Sequence, residues 1–300
     1  MASVLIALGG NLAIAMPDPA ACETAFRKLD LSVQILTKLN RSCLIPARET
    51  IILPCLGRTE LDMQENGPQW VTVEDSMSMV HASRGKLKPA AADLRSEPAI
   101  VAGMAKATER SGALDWDWMV ADYDRIRDKI ADVYPDFEDF NRRVRVPGGF
   151  RLTVGPAERV WNTPDRKAHF LISPGLDEDE GHVRGLTLTT IRSHDQYNTT
   201  IYGMDDRYRG IRGRRDILFM NADDMAELGL ETGSIVDILA APNRVLPAQT
   251  VVAYSMARGS VAAYYPEANC LIAIDDYDRK SGTPAYKAIA VSVKPASSSA

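Results

Sequence analysis

The stretch Arg192, His194, Gln196, Asn198 and Thr199 crowds hydrogen-bond donors into one short loop. Such a loop suits the holding of a polar, anionic group more than the making of bonds. His194 on its own has two readings, a surface histidine with its hydrogen bonds satisfied or a contact to that group. A second constellation begins at Asn221-Ala222-Asp223-Asp224 and ends at Leu228-Gly229, followed by Glu231-Thr232-Gly233-Ser234. As local structure it is an Asn-capped helix closed by glycine. A carboxylate at such a helix start can also accept the paired N–H donors on the edge of a guanine. Capping and base readout both remain open on the residues alone. A third constellation is Gly9-Gly10-Asn11 after a short apolar run, where glycine lets backbone approach a phosphate closely.

These groups need elements to position them. Val4–Leu8, Leu31–Leu36 and Thr50–Leu53 read as strands buried on both faces, with a helix over Pro19–Leu29 capped by Asp18. That alternation favours a parallel α/β sheet. Between Ser111 and Val133, the apolar residues Trp116, Met119, Tyr123, Ile126, Ile130 and Val133 fall on one helix face and predict packing. Pro147-Gly148-Gly149, Pro156 and Pro164 break the pattern and predict a domain boundary near residue 150. Beyond it, strand-like runs at His169–Ile172, Leu186–Ile191, Ile217–Met220, Ile235–Leu239, Thr250–Tyr254 and Ala288–Val293 predict a β-barrel with one helix at Ala222–Leu228. The tail Ser297–Ala300 is expected to fray.

Composition narrows the function. A net charge of -5, with 45% hydrophobic and 25% charged residues, describes an ordinary soluble chain and argues against a general nucleic-acid binder. The local exception is the run Arg207, Arg209, Arg212, Arg214 and Arg215, read as a solvated loop in preference to an anion clamp. Cys22, Cys43, Cys55 and Cys270 are too scattered for a metal or cluster site and read as reduced cytoplasmic thiols. No apolar run approaches the roughly 20 residues that span a bilayer. The expectation is a cytoplasmic protein with no membrane and no nucleic-acid partner.

Taken together, the motifs resemble the molybdopterin oxidoreductases, most closely their formate-dehydrogenase-alpha-like branch. The blocks that carry the likeness run in the family's order: Gly9-Gly10-Asn11, Thr37 to Ser42, Ile51 to Pro54, Arg58-Thr59-Glu60, Val71 to Ser76, Leu186 to Thr199, Asn221 with Asp224, Glu267 to Ile272, and Ser281 to Lys287. The resemblance implies an α/β plus β-barrel fold. Residues 1–150 would form an incomplete parallel α/β domain, and residues 151–300 a double-psi-like β-barrel binding a molybdopterin guanine dinucleotide. It implies that Gly10, Asn11, Arg192, His194, Gln196, Asn198, Thr199, Asn221, Asp224, Asn269, Tyr286 and Lys287 contact bis-molybdopterin guanine dinucleotide.

The family's amino-terminal cysteine cluster for a [4Fe-4S] centre and its molybdenum ligand have no counterpart here. No catalytic or metal-ligating residue is therefore assigned, and the isolated chain is expected to be inactive. Expected partners are the molybdopterin cofactor and either the absent amino-terminal part or another subunit. Formate is the nearest substrate. The rival reading is a non-catalytic guanine-nucleotide-binding or assembly module.

Overall fold

The computed structural model describes residues 2–109, 111–172, 185–199, 201 and 203–296. In chain order the elements are β1 (Val4–Leu8), α1 (Leu12–Ala15), α2 (Pro19–Arg27), β2 (Leu31–Leu36), β3 (Glu49–Pro54), β4 (Met63–Gln64), β5 (Gly67–Pro68), β6 (Val71–Glu74) and β7 (Met79–Ser83). Next come α3 (Glu97–Thr108), α4 (Trp116–Ala121), α5 (Tyr123–Val133), α6 (Phe140–Val144) and β8 (Phe150–Arg151). The remainder is β9 (Leu186–Ile191), β10 (Ile217–Met220), α7 (Ala222–Glu227), β11 (Ile235–Ala240), β12 (Arg244–Ala253), β13 (Ser260–Tyr264) and β14 (Ile289–Pro295).

Two compact units result. The first comprises Met1–Gln34, Leu39–Ile52 and Pro174–Ala300; the second comprises Ile35–Lys38 and Leu53–Ser173. This differs from the expected single division at residue 150. The Pro147-Gly148-Gly149 turn lies inside the second unit, joining α6 to β8 around a core of Val80, Phe140 and Val144 with Phe137 and Phe150 packed against it. Gly149 is required there, because a Cβ would fall 1.9 Å from the carbonyl oxygen of Val80.

The first unit is dominated by a closed six-stranded barrel in the order β10-β12-β11-β14-β9-β13. Parallel pairs β10–β12 and β13–β9 are set among antiparallel neighbours. The two-residue period of β10 explains its burial on both faces. Leu218 and Met220 enter one cluster with Leu188, Val236, Ile238 and Val251, whereas Ile217 and Phe219 enter another with Tyr264. Each fully buried aliphatic contributes about 1.5–3 kcal/mol. Strand β13, absent from the sequence reading, completes the closure.

Four expected elements change. The 111–133 stretch is two helices, because Asp122 is extended and its side chain caps the second of them through Asp124 N–H. Val133 is consequently exposed and Arg127 buried. His169–Ile172 forms no strand, and Phe170, Leu171 and Ile172 are exposed. Strand β1 is not covered on both faces: Val4, Ile6 and Leu8 stand about half exposed while Ala7 is buried. Strand β3 likewise exposes Ile51, Ile52 and Leu53. The apolar runs locate these strands but say nothing of what lies over them. The tail Ser297–Ala300 lies outside the described residues.

Candidate functional site

At the carboxyl end of β9 the barrel opens into a cavity of about 550 Å³, lined by Thr190, Ile191, Arg192, Arg209, Tyr265, Tyr286 and Lys287. Lys287 Nζ donates to the Thr190 carbonyl, and Arg192 lies 5.6 Å from the Tyr265 ring centroid. Neither cation has a carboxylate within ion-pair distance among the described residues. Burial, then the charge of Arg192, pushes the Lys287 ammonium below its ordinary pKa. Burial pushes the Tyr286 phenol up to about 12, so it stays protonated and donates to the Ala15 carbonyl at 2.8 Å. The cavity therefore presents concentrated positive charge beside two aromatic walls.

Arg209, part of the run expected to be a solvated loop, fixes this wall. It donates to the Arg192 carbonyl at 3.0 Å and to Asp206 Oδ2 at 2.6 Å. Asp206 is buried; its Oδ1 meets His194 Nδ1 at 2.8 Å, and Tyr264 donates to its Oδ2 at 2.9 Å. Burial opposes its ionisation, yet the hydrogen bonds from His194, Arg209 and Tyr264 hold the carboxyl down at about 2. His194 thus has its hydrogen bond satisfied within the protein and remains partly exposed on the other side.

The rest of the donor-rich loop turns inward. Gln196 accepts from Ser193 N–H and Arg215, and donates to the carbonyls of Asn198 and Tyr265. Asn198 adopts a left-handed φ of 48°, and Thr199 is buried. Arg215 is buried as well, and is held by Glu267, Ser193, Gln196 and the Tyr265 carbonyl. Arg207 pairs with Asp195 and Arg214 with Asp216. Four arginines of the run thus form ion pairs, whereas Arg212 is exposed and forms none among the described residues. The run's acids are close in space, and only Asp206 and Asp216 are close to it in sequence.

A second set converges on the segment after β1. Gly10 gives its carbonyl to Asn40, and Asn11 begins α1 with its backbone oxygen accepting Ile14 and Ala15 N–H. Asn269, fully buried in the 3-10 turn Glu267–Leu271, donates through Nδ2 to the carbonyls of Ile14, Ala15 and Met16. The side-chain oxygens of Asn11 and Asn269 are buried without a protein donor. Arg244 joins this region, donating to Asp18 Oδ2 at 2.6 Å and holding that carboxyl below its usual range.

Asn221 and Asp224 stand elsewhere on the barrel. Asn221 caps α7, accepting Asp223 N–H at 2.8 Å, and donates to the Met256 carbonyl. Asp224 takes no part in that cap. It is buried, with Oδ1 accepting Arg258 Nε at 3.0 Å and Oδ2 accepting Gly259 N–H at 2.7 Å. Of the twelve expected residues, Arg192, Tyr286 and Lys287 line one cavity. Gly10, Asn11 and Asn269 gather at the α1 turn. His194, Gln196, Asn198 and Thr199 build the loop between, and Asn221 with Asp224 forms a separate pair around the start of α7.

Residues 186–290, from β9 into β14, match the molydopterin dinucleotide binding domain. The barrel is similar to that domain over those residues. Whole-chain relatives extend the likeness: Protein YdeP of Escherichia coli is 50% identical over 98% of this chain, and the uncharacterized oxidoreductase Rv2900c of Mycobacterium tuberculosis is 45% identical over 98%. The chain spans only 40% and 39% of those two proteins. Among solved structures, acetylene hydratase from Pelobacter acetylenicus shares the fold, with a TM-score of 0.56 at 13% identity, covering 98% of this chain and 44% of that one. No helix among the described residues is long and apolar enough to cross a membrane.

The donor set fits a molybdopterin dinucleotide. Arg192 and Lys287 would supply positive charge to a diphosphate, and Tyr265 and Tyr286 line the same cavity with aromatic surface. Among the described residues no group of His, Cys, Asp or Glu is arranged to hold a metal ion.

Proposed function

We propose that this chain is the carboxyl-terminal cofactor-binding part of a molybdopterin-dependent oxidoreductase, formate dehydrogenase-like, that holds bis-molybdopterin guanine dinucleotide. The observation that carries it is the pair Arg192 and Lys287, two cations sharing one cavity without an acid to neutralise them. When bound, the cofactor supplies two-electron redox chemistry at molybdenum, and this chain's residues bind and orient it. Lys287 and Arg192 would hold a diphosphate, and Arg209 keeps Arg192 in place through its carbonyl. Tyr286 and Asn269 shape the turn after Asn11. The mixed parallel and antiparallel barrel supports a double-psi-like domain. Guanine readout by Asp224 belongs to the same reading, since a carboxylate that accepts two hydrogen bonds retains further lone pairs.

The test is pterin and guanine nucleotide content, measured on the full chain and on the longer YdeP relative carrying the matching substitutions. Lys287→Met together with Arg192→Gln should lower retained pterin at least tenfold with the melting temperature unchanged. Parental pterin content in that double variant would reject the assignment.

The rival, a stand-alone guanine-nucleotide binder, predicts instead that this chain alone binds GDP. Formate-dependent dye reduction by the isolated chain is expected to be absent.

A further inference from the structure

The second unit contains a cavity of about 200 Å³ that the cofactor reading leaves unused. Arg58 reaches it from the segment after β3, and Arg84 from the residue after β7. Arg58 donates to Ser83 Oγ at 3.0 Å, and Arg84 lies 4.7 Å from the centroid of the Trp70 ring. Both side chains are exposed, each is held by that one contact, and neither forms an ion pair among the described residues.

Of the three acids in the cavity wall, Glu60, Asp62 and Glu97, the first two are engaged by hydrogen bonds. Glu60 accepts Gly57 N–H at 2.6 Å through Oε2 and Ala90 N–H at 2.7 Å through Oε1. Asp62 accepts Gln64 through Oδ1 and the Tyr123 hydroxyl through Oδ2, each at 2.6 Å. The walls are closed together by Gly85, where a Cβ would fall 1.8 Å from the Glu60 carbonyl oxygen. Any side chain at that position would force the Arg84 segment away from the Arg58 segment.

We propose that Arg58 and Arg84 form a binding site for a small monocarboxylate in this unit. A planar carboxylate matches the two-pronged donor geometry of guanidinium groups. The volume suits a few heavy atoms, well below the roughly 300 Å³ at which drug-sized pockets begin. Glu97 also lines the cavity, and its charge disfavours a dianion such as phosphate.

The experiment uses the full chain, with the Trp70 indole resonance assigned by Trp70→Phe and followed by NMR during titration with sodium acetate, sodium phosphate and sodium chloride at fixed ionic strength. Saturable displacement by acetate is expected, weaker with phosphate and absent with chloride. Arg58→Gln and Arg84→Gln should each weaken acetate binding at least tenfold, and Glu97→Gln should strengthen phosphate binding. An equal response to chloride, no saturation with acetate, or unchanged affinity in both arginine variants overturns the site. Phosphate binding tighter than acetate in the parent overturns the monocarboxylate class. Circular dichroism of the arginine variants must match the parent, and a variant that fails this check is replaced by Arg58→Lys or Arg84→Lys, which keeps the charge and loses the fork.

Discussion

Asp224 Oδ2 accepts the backbone N–H of Gly259 at 2.7 Å, joining residues 35 positions apart and tying the start of α7 to the turn between β12 and β13. Gly259 has a left-handed φ of 74°, so this turn relies on both a glycine and an anchor for its amide. The α7 cap belongs to Asn221.

Asp224→Asn replaces one acceptor with an amide that faces a donor, either Gly259 N–H or Arg258. The expected cost is about 1–3 kcal/mol, read as a lower denaturation midpoint. An unchanged midpoint would show that the contact contributes nothing. Guanine retention, scored separately after correction for the folded fraction, decides whether the residue also reads the base.

Asp206 predicts the acid behaviour of the barrel. Its folded pKa of about 2 lies below the ordinary value of about 3.9, so the unfolded state binds protons more readily as the solution is acidified. The resulting stability is fully present above about pH 5 and is lost as pH falls towards 2. Asp206→Asn should flatten this dependence and remove on the order of 2 kcal/mol at neutral pH. Parallel stability curves for parent and variant between pH 5 and pH 2 would refute it.

The arginine run should divide by burial. Arg215→Gln removes the buried guanidinium that pairs with Glu267 and is expected to cost about 3 kcal/mol. Arg214 pairs with Asp216 where both are substantially exposed, so Arg214→Gln should cost no more than about 1 kcal/mol. Arg212→Gln and Arg214→Gln should also leave pterin content unchanged. Equal denaturation midpoints for the Arg214 and Arg215 variants would contradict the division.

Asn269 should matter locally. Asn269→Ala removes the amide that holds the carbonyls of Ile14, Ala15 and Met16, with an expected loss of about 1–3 kcal/mol. Hydrogen exchange should quicken at Ile14 and Ala15 while the amides of β10 remain protected. Uniform acceleration across both would mean that Asn269 supports the barrel as a whole.

The sequence by itself determined what depends on neighbours in the chain. The apolar runs placed Val4–Leu8, Leu31–Leu36, Leu186–Ile191 and Ile217–Met220 at their observed bounds, because a strand's side-chain period is local. The Asp18 and Asn221 caps were also legible, since an N-cap acts across two or three residues. The order of motifs pointed to the family that residues 186–290 match.

Tertiary structure alone decided the partners. Asp224 could be read locally as a cap, but its oxygens go to Arg258 and Gly259. The arginine run looked solvated because Glu267, which holds Arg215, lies 52 residues away. Asn269 and Tyr286 reach Ile14 and Ala15 across more than 250 residues. A side chain's type states which bonds it can make, whereas the long-range closure of the barrel selects which groups arrive to make them.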